Sequence, residues 1–257
     1  MIDSLLKKKD DFLFNSLDLE NFNNSHSKMR FWFNHLIENH NSINGDIYEF
    51  GVYRGRSLIS IAILLKKLGS SKKVFGFDSF SGFPDYSEND NLDMFNYLRK
   101  NNMINNKHFE DFELLLKIKD FNSSNQAVSV KNISTSKDFS ENSIETLKAK
   151  IKFLELDNII LVPGDFNKTI PEFFSEKKNN KIFSANIDSD LYDGYKLILP
   201  FAWKYLEKGG FIHLDEYYSL KFPGPRIAVD EFCKSQSISP FKNISHDTEF
   251  ERWSLIK

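Results

Sequence analysis

The sequence predicts an α/β protein built on a doubly wound, mostly parallel sheet. Short apolar runs that suit buried strands alternate along the chain with longer runs that suit amphipathic helices. Two of the apolar runs, Ile182–Ile187 and Phe211–Leu214, flank a helix-like stretch that ends in Lys208-Gly209-Gly210. This is the pattern of a β-α-β unit, so the two strands are expected to lie parallel and adjacent.

The predicted elements follow one another in a simple order. Residues 1–45 are expected to be helical, because Trp32, Phe33, Leu36 and Ile37 form an apolar stripe with helical spacing. Strands are then predicted at Asp46–Phe50, Val74–Phe77, Ile159–Val162, Ile182–Ile187, Phe211–Leu214 and Thr248–Ile256. Helices are predicted at Ser57–Leu68, His108–Ile118, Ser143–Leu156 and Ile227–Lys234, and a further one starts within Thr169–Phe174.

Length and composition fit one large domain with a buried core. The chain has 257 residues, of which 40% are hydrophobic, and its 26 phenylalanines predict a core rich in large rings. The polar, Asn-rich segment after Pro84 is longer than a β-α-β connection needs. We therefore expect a single domain over residues 1–257, with an N-terminal helical segment (1–45) and an insert (85–140) that acts as a lid or is a partly mobile loop.

Charge and cysteine content exclude several classes of protein. The net charge of −2 gives no basic field for nucleic acid or for an anionic membrane. The single cysteine, Cys233, excludes an internal disulfide framework. The charged N-terminus does not resemble a signal peptide, and the sequence has no apolar run of about 18 residues. The chain is therefore expected to be cytoplasmic, without nucleic-acid or membrane partners.

Four acidic residues follow the two strands of the β-α-β unit. Asp188 and Asp190 come after the first strand, and Asp215 and Glu216 come after the second. Because the carboxyl ends of parallel strands meet at one edge of the sheet, the four carboxylates are expected to meet there, where open α/β proteins bind ligands. Carboxylates so gathered repel one another unless a hard cation or a proton relieves them. The sequence therefore predicts a metal-dependent or acid/base site.

A glycine turn joins the first strand to the first long helix, in Tyr48-Glu-Phe-Gly-Val-Tyr-Arg-Gly-Arg-Ser57. Gly51 and Gly55 allow the backbone to approach a ligand closely, although the spacing matches neither the dinucleotide fingerprint nor the phosphate loop. Asp78 ends the next strand. An acid there can accept hydrogen bonds from the two hydroxyls of a cofactor ribose, or it can cap a turn.

Five motifs together resemble the macrocin O-methyltransferase (TylF/MycF) family. They are the glycine turn, Phe77-Asp-Ser-Phe-Ser-Gly-Phe-Pro84, Pro163-Gly-Asp-Phe-Asn-Lys-Thr-Ile-Pro171, Asp188-Ser-Asp-Leu-Tyr192 and Leu214-Asp-Glu-Tyr217 with Pro223-Gly-Pro-Arg-Ile-Ala-Val-Asp-Glu-Phe232. Members are class I S-adenosylmethionine-dependent enzymes that methylate sugar hydroxyls with a divalent metal. This chain departs from the family in having Asp215-Glu216 where an Asp-Asp pair is usual, and in a longer insert after Pro84.

The resemblance implies a Rossmann-like, seven-stranded sheet and assigns roles to residues. Cofactor-binding residues would be Glu49, Gly51, Val52, Gly55, Arg56, Ser57, Asp78, Ser79 and Asp165. Metal ligands would be Asp188, Asp215 and Glu216, and the residues of the reaction itself would be Asp188 and Asp190. From the residues alone, Asp165 can equally be a helix N-cap, and Asp190 can belong to the surroundings of the ligands or cap the following helix.

The resulting hypothesis is an S-adenosylmethionine-dependent O-methyltransferase that uses Mg²⁺ or another divalent cation and acts on a sugar or a sugar-bearing small molecule. One alternative keeps the cofactor and changes the acceptor to a catechol-like or phosphorylated molecule. Another is a non-catalytic, cofactor-binding protein of the same fold. The resemblance also implies a homo-oligomer.

Overall fold

The computed structural model of the protein describes residues 11–123, 126–176, 180–246 and 249–257. Residues 1–10 of the predicted helical segment and Thr248 of the predicted last strand lie outside these ranges. The strands are β1 (Asp46–Phe50), β2 (Val74–Asp78), β3 (Ile159–Pro163), β4 (Ile182–Ile187), β5 (Leu206–Leu214), β6 (Phe241–Asn243) and β7 (Arg252–Ile256). They form one seven-stranded sheet in the order β3-β2-β1-β4-β5-β7-β6.

The helices are α1 (Phe12–Ser16), α2 (Arg30–Asn39), α3 (Arg56–Lys67), α4 (Met94–Lys100), α5 (Asn106–Asn122), α6 (Ile144–Phe153), α7 (Phe166–Glu176), α8 (Tyr192–Tyr205) and α9 (Gly224–Gln236), with a 3₁₀ turn at Glu88–Asp90. Strands β1 to β5 pair in parallel, and β7 pairs antiparallel with both β5 and β6. The predicted parallel pairing of β4 with β5 is confirmed, as is the mostly parallel, doubly wound sheet.

Two elements differ from the sequence prediction near the C-terminus. The helix before β5 ends at Tyr205, and Gly209 and Gly210 lie inside the strand. The N–H of Gly209 donates to the carbonyl of Lys257 and the N–H of Lys257 donates to Gly210, so the end of the chain converts this glycine pair into strand. The short edge strand β6 was not predicted. It forms because its three residues pair with β7, which begins only at Arg252.

The core lies on both faces of the sheet. On one face α3 buries a continuous apolar stretch against β1 and β2, and α2 packs Trp32, Phe33 and Leu36 beside it, whereas Ile37 of the predicted stripe is exposed. The other face is covered by α7, α8 and α9 and is rich in stacked aromatic rings, as the phenylalanine content predicted. No helix in the described ranges is long and apolar enough to cross a membrane.

The 85–140 segment packs over the residues that follow β4 and β5. Its Val130 and Ile133 form a buried cluster with Leu191 and Phe222. The carboxylate of Asp90, which is 1% exposed, accepts a hydrogen bond of 2.8 Å from the first N–H of α8. Both contacts hold the segment beside the predicted acidic site, and its function as a lid stays a prediction.

Candidate active site

The glycine turn lies directly against the loop that follows β4. Gly51 has φ of 92°, and a Cβ atom there would lie 1.9 Å from the carbonyl oxygen of Asp188. Gly55 has φ of 76°, and its Cβ would lie 2.4 Å from Leu147. The two glycines are therefore required by the backbone itself, because any side chain at Gly51 would push the turn away from the first acidic cluster.

Asp78 holds this turn in place. One carboxylate oxygen accepts hydrogen bonds from the backbone N–H groups of Val52 (2.7 Å) and Tyr53 (2.8 Å), and the other accepts one from Phe80 (2.7 Å). The turn-capping interpretation is therefore satisfied in full. Asp78 also lines the cavity described below, so contact with a ribose is compatible with its position and stays a prediction.

Glu49 and Ser57 form a hydrogen-bonded pair beneath the turn. Ser57 lines the cavity, and its hydroxyl donates to Glu49, which is completely buried and lies below the cavity wall. Burial raises the pKa of Glu49 to about 7. Arg56, at the start of α3, turns its side chain towards the N-terminal segment, where it pairs with Glu20 at 2.9 Å and Asp18 at 3.5 Å.

Two further residues predicted to bind the cofactor lie on the cavity wall. Asp165 is exposed, precedes α7 and accepts a hydrogen bond of 2.9 Å from the N–H of Asn167, so it does cap this helix. Ser79 donates to the carbonyl of Gly82 at 2.9 Å. Asp165 and Ser79 are therefore open to a ligand, and their contacts with the cofactor stay predictions.

Three of the four acidic residues converge at the carboxyl edge of the sheet. Ligand oxygens of Asp188, Asp215 and Glu216 all lie within 4.8 Å of one another. Asp188 extends β4 and Asp215 extends β5, and the parallel register places the two beside each other. Three converging carboxylates form the hard oxygen donor set that Mg²⁺ prefers.

The electrostatics of this group are unbalanced. Burial, together with the charge of Asp215, raises the pKa of Asp188 well above its ordinary value, and burial together with Glu216 does the same for Asp190. Burial acts in the same direction on Asp215, but Lys28, 3.8 Å away, and His213, 3.5 Å away, lower its pKa overall. Ionisation of Asp215 is therefore favoured, whereas ionisation of Asp188 and Asp190 is opposed by burial and by the neighbouring carboxylates.

Asp190 does not cap α8. Helix α8 has no side-chain cap from its own N-terminal residues, and its first N–H is bound instead by Asp90. Asp190 adopts a left-handed conformation (φ 58°), is 6% exposed and lines the cavity. Of the two interpretations offered by the sequence, the geometry favours a place beside the predicted metal ligands.

One cavity of about 720 Å³ connects these parts. Its wall includes the glycine turn, the ends of β2 and β3, both acidic clusters and part of the 85–140 segment. This volume lies in the range of small-molecule sites. The glycine turn and the acidic group thus lie at opposite ends of one cavity.

Two lysines on the wall were missed by the sequence analysis. Lys28 comes from the N-terminal segment and pairs with Asp215, and Lys221 lies 4.0 Å from Glu216. Nothing in the local sequence of Lys28 indicates this contact, since its partner Asp215 is far away in the sequence. Lys221 follows the second acidic cluster closely, which is the one signal that could have drawn attention to it.

The matching family model is that of macrocin O-methyltransferase (TylF), over residues 33–122 and 109–252. The chain belongs to this family. No curated protein sequence matches it. Among solved structures, the calicheamicin methyltransferase CalS11 is similar with a TM-score of 0.58 and 21% identity, covering 88% of this chain and 76% of that one. The O-methyltransferase NovP has a TM-score of 0.62 and 17% identity, covering 98% and 96%.

These likenesses confirm the class I methyltransferase fold that the motifs implied. Family membership makes the protein an O-methyltransferase that uses S-adenosylmethionine. It also decides against the alternative of a non-catalytic binding protein.

Proposed function

We propose that this O-methyltransferase methylates a hydroxyl of a sugar or sugar-bearing small molecule with the help of a divalent cation held by Asp188, Asp215 and Glu216. The observation that carries the proposal is the convergence of these carboxylates at one end of the cavity, opposite the glycine turn. The sugar acceptor is supported by the similarity to CalS11, which is named as a calicheamicin methyltransferase and as a TDP-rhamnose 3'-O-methyltransferase.

The donor set fits a divalent cation. Within the described residues, only Asp215 and Glu216 of the four acids form a salt bridge with a lysine. One oxygen of Asp215 is buried and has no hydrogen-bond partner in the described structure. Three carboxylates leave room in an octahedral shell for water and for acceptor oxygens, as Mg²⁺ requires.

The residues then divide the chemistry as follows. S-adenosylmethionine supplies the methyl group, and a cation at the acidic group lowers the pKa of the acceptor hydroxyl. Asp190 takes the hydroxyl proton as the new carbon–oxygen bond forms and the carbon–sulfur bond breaks. The glycine turn, together with the backbone N–H groups at the start of α3, would hold the cofactor at the end of the cavity opposite the acidic group.

Binding and turnover experiments test the proposal. In isothermal titration without divalent cations, S-adenosylhomocysteine should bind to the wild type and to Asp188→Ala alike, while Asp188→Ala and EDTA treatment should each lower turnover by about 10³-fold or more. Asp157→Ala is the matched control, because this acid is 85% exposed and remote from the cavity, and it should keep full activity. Full activity in EDTA would remove the cation from the proposal.

The acceptor is tested separately with a panel of glycosides, sugar nucleotides, catechols and phosphorylated small molecules. Turnover restricted to catechols or to phosphorylated non-sugars would replace the sugar proposal by the alternative acceptor. A homo-oligomer and a cytoplasmic location stay predictions, and light scattering during gel filtration measures the first.

A further inference from the structure

Four polar side chains form a row across the middle of the sheet, where apolar residues are expected. The parallel and antiparallel registers pair Glu49 with Asn186, Asn186 with His213 and His213 with Ser254. All four are fully buried. We call them the buried row.

The buried row lies directly beneath the proposed cation site. Side chains alternate between the faces of a strand, so the residues two positions further on each strand point to the same face. These are Gly51 after β1, Asp188 after β4 and Asp215 after β5. The row therefore lies one layer below the turn and the metal ligands, and Trp32 stacks on His213 from the helix side.

The row is only partly satisfied by hydrogen bonds. Asn186 donates to Glu49 at 2.9 Å, and Ser57 donates to the same carboxylate oxygen. Within the row, the buried atoms without a hydrogen-bond partner in the described structure are the second oxygen of Glu49, the side-chain oxygen of Asn186 and both ring nitrogens of His213. Buried polar atoms are almost always satisfied, so a cluster of such atoms in one layer indicates a function other than stability.

The row joins the two ends of the cavity. At one end, Ser57 stands on the cavity wall beside the cofactor turn and holds Glu49 from above. At the other end, His213 lies 3.5 Å from Asp215, and the unpaired oxygen of Asp215 is the one that faces it. Neighbouring strands lie about 4.8 Å apart, so the paired members of the row are next to one another.

We propose that Glu49, Asn186 and His213 are positioning residues that couple cofactor binding at the glycine turn to cation binding at the acidic group. A cofactor that orders Ser57 and Glu49 orders Asn186 and His213 in turn, and His213 then holds Asp215 in the orientation that a cation needs. The coupling is reciprocal, so the cation strengthens cofactor binding by the same factor. This inference rests on the proposed function, since it requires both ligands.

The test measures the affinity for S-adenosylhomocysteine by isothermal titration with and without Mn²⁺. In the wild type, Mn²⁺ should tighten binding by about fivefold or more. Asn186→Leu keeps the volume of the side chain and removes the polar link. In this variant the ratio of the affinities with and without Mn²⁺ should fall to about one, while each ligand alone still binds. Ser184→Ala is the matched control, because it removes a buried hydroxyl from the same strand and face, two residues away. Ser184→Ala should lower the thermal stability but keep the wild-type ratio of affinities with and without Mn²⁺.

The outcomes separate this inference from the function on which it rests. The coupling alone is overturned if the wild type binds with equal affinity with and without Mn²⁺, or if Asn186→Leu keeps the wild-type ratio of affinities. Absence of Mn²⁺ binding in the wild type removes the cation, and absence of S-adenosylhomocysteine binding contradicts the enzyme. If Asn186→Leu lacks a cooperative unfolding transition, His213→Phe, which keeps a ring against Trp32, must show the loss of coupling instead.

Discussion

The two ends of the cavity treat their carboxylates in opposite ways. At the turn end, Asp78 accepts three backbone hydrogen bonds and holds Val52 and Tyr53 in place without any ligand. At the acidic end, Asp188 and Asp190 are buried beside other carboxylates, and their pKa values are raised. One end is satisfied by the backbone alone, whereas at the other end the carboxylates oppose one another's ionisation.

This difference separates structure from function within one sheet edge. A carboxylate that is satisfied by backbone N–H groups stabilises the fold whether or not a ligand is present. Carboxylates that repel one another cost stability, and they are retained where a cation or a proton is to be bound. The same substitution, aspartate to asparagine, should therefore have opposite effects on stability at the two ends.

The largest effect is expected at the turn. In Asp78→Asn, an amide nitrogen faces backbone N–H groups that lose their acceptor, which should cost about 3 kcal/mol, or roughly 6 to 12 °C in the thermal midpoint. Asp138→Asn is the control, because Asp138 also caps a turn, at Ser140, but lies fully exposed. Its midpoint should change little. Equal losses in the two variants, measured by differential scanning fluorimetry, would contradict the contrast.

The sequence predicted the turn end and the acidic end because both depend on local patterns. Strand periodicity placed Asp78, Asp188 and Asp215 at strand ends, and the parallel β-α-β unit brought the last two together. Which side chains then satisfy each acid depends on contacts between distant parts of the chain. Asp78 is satisfied by a turn from another strand, and Asp215 is paired with Lys28 from the N-terminal segment.

Elements that depend on register or on an edge partner were beyond the sequence. β6 is too short to show periodicity and exists through its pairing with β7. The buried row is visible only once Glu49, Asn186 and His213 are known to be in register, because each alone is one polar residue in an apolar strand. A parallel strand that is buried on both faces is a nearly continuous apolar run, so its sequence predicts the strand but not its register with the neighbouring strand.

Glu49 lies between the two ends, and its effect should be about as large as that of Asp78 but should appear only as the pH rises. Its pKa is raised to about 7 in the folded protein from an ordinary value of 4.5, so the folded state favours the protonated form. The stability that this proton provides is fully present below pH 4.5 and is lost as the pH rises through 7. Relative to Glu49→Gln, the wild type should therefore lose on the order of 3 kcal/mol between pH 4.5 and 8.

Chemical unfolding of both proteins at several pH values measures this difference. Glu38→Gln, the same change at an exposed position of α2, should follow the wild type at every pH. A constant difference between wild type and Glu49→Gln across this range would show that the carboxyl group titrates alike in the folded and unfolded states.

The smallest effect, and the one that reverses in sign, is expected at Asp188. Because its pKa is raised in the folded protein, Asp188 adds to the stability that the wild type loses in EDTA as the pH rises above the ordinary range of an aspartate, and Asp188→Asn should lose less. At pH 8 in EDTA the asparagine variant should therefore melt several degrees above the wild type, and at pH 4 the two should melt together. Excess Mg²⁺ should raise the wild-type midpoint and leave the variant unchanged, since a bound cation stabilises only the protein that binds it. If Asp188→Asn is less stable than the wild type in EDTA at pH 8, as Asp78→Asn is expected to be, then the acidic end is as complete in itself as the turn, and the charge argument for a cation is lost.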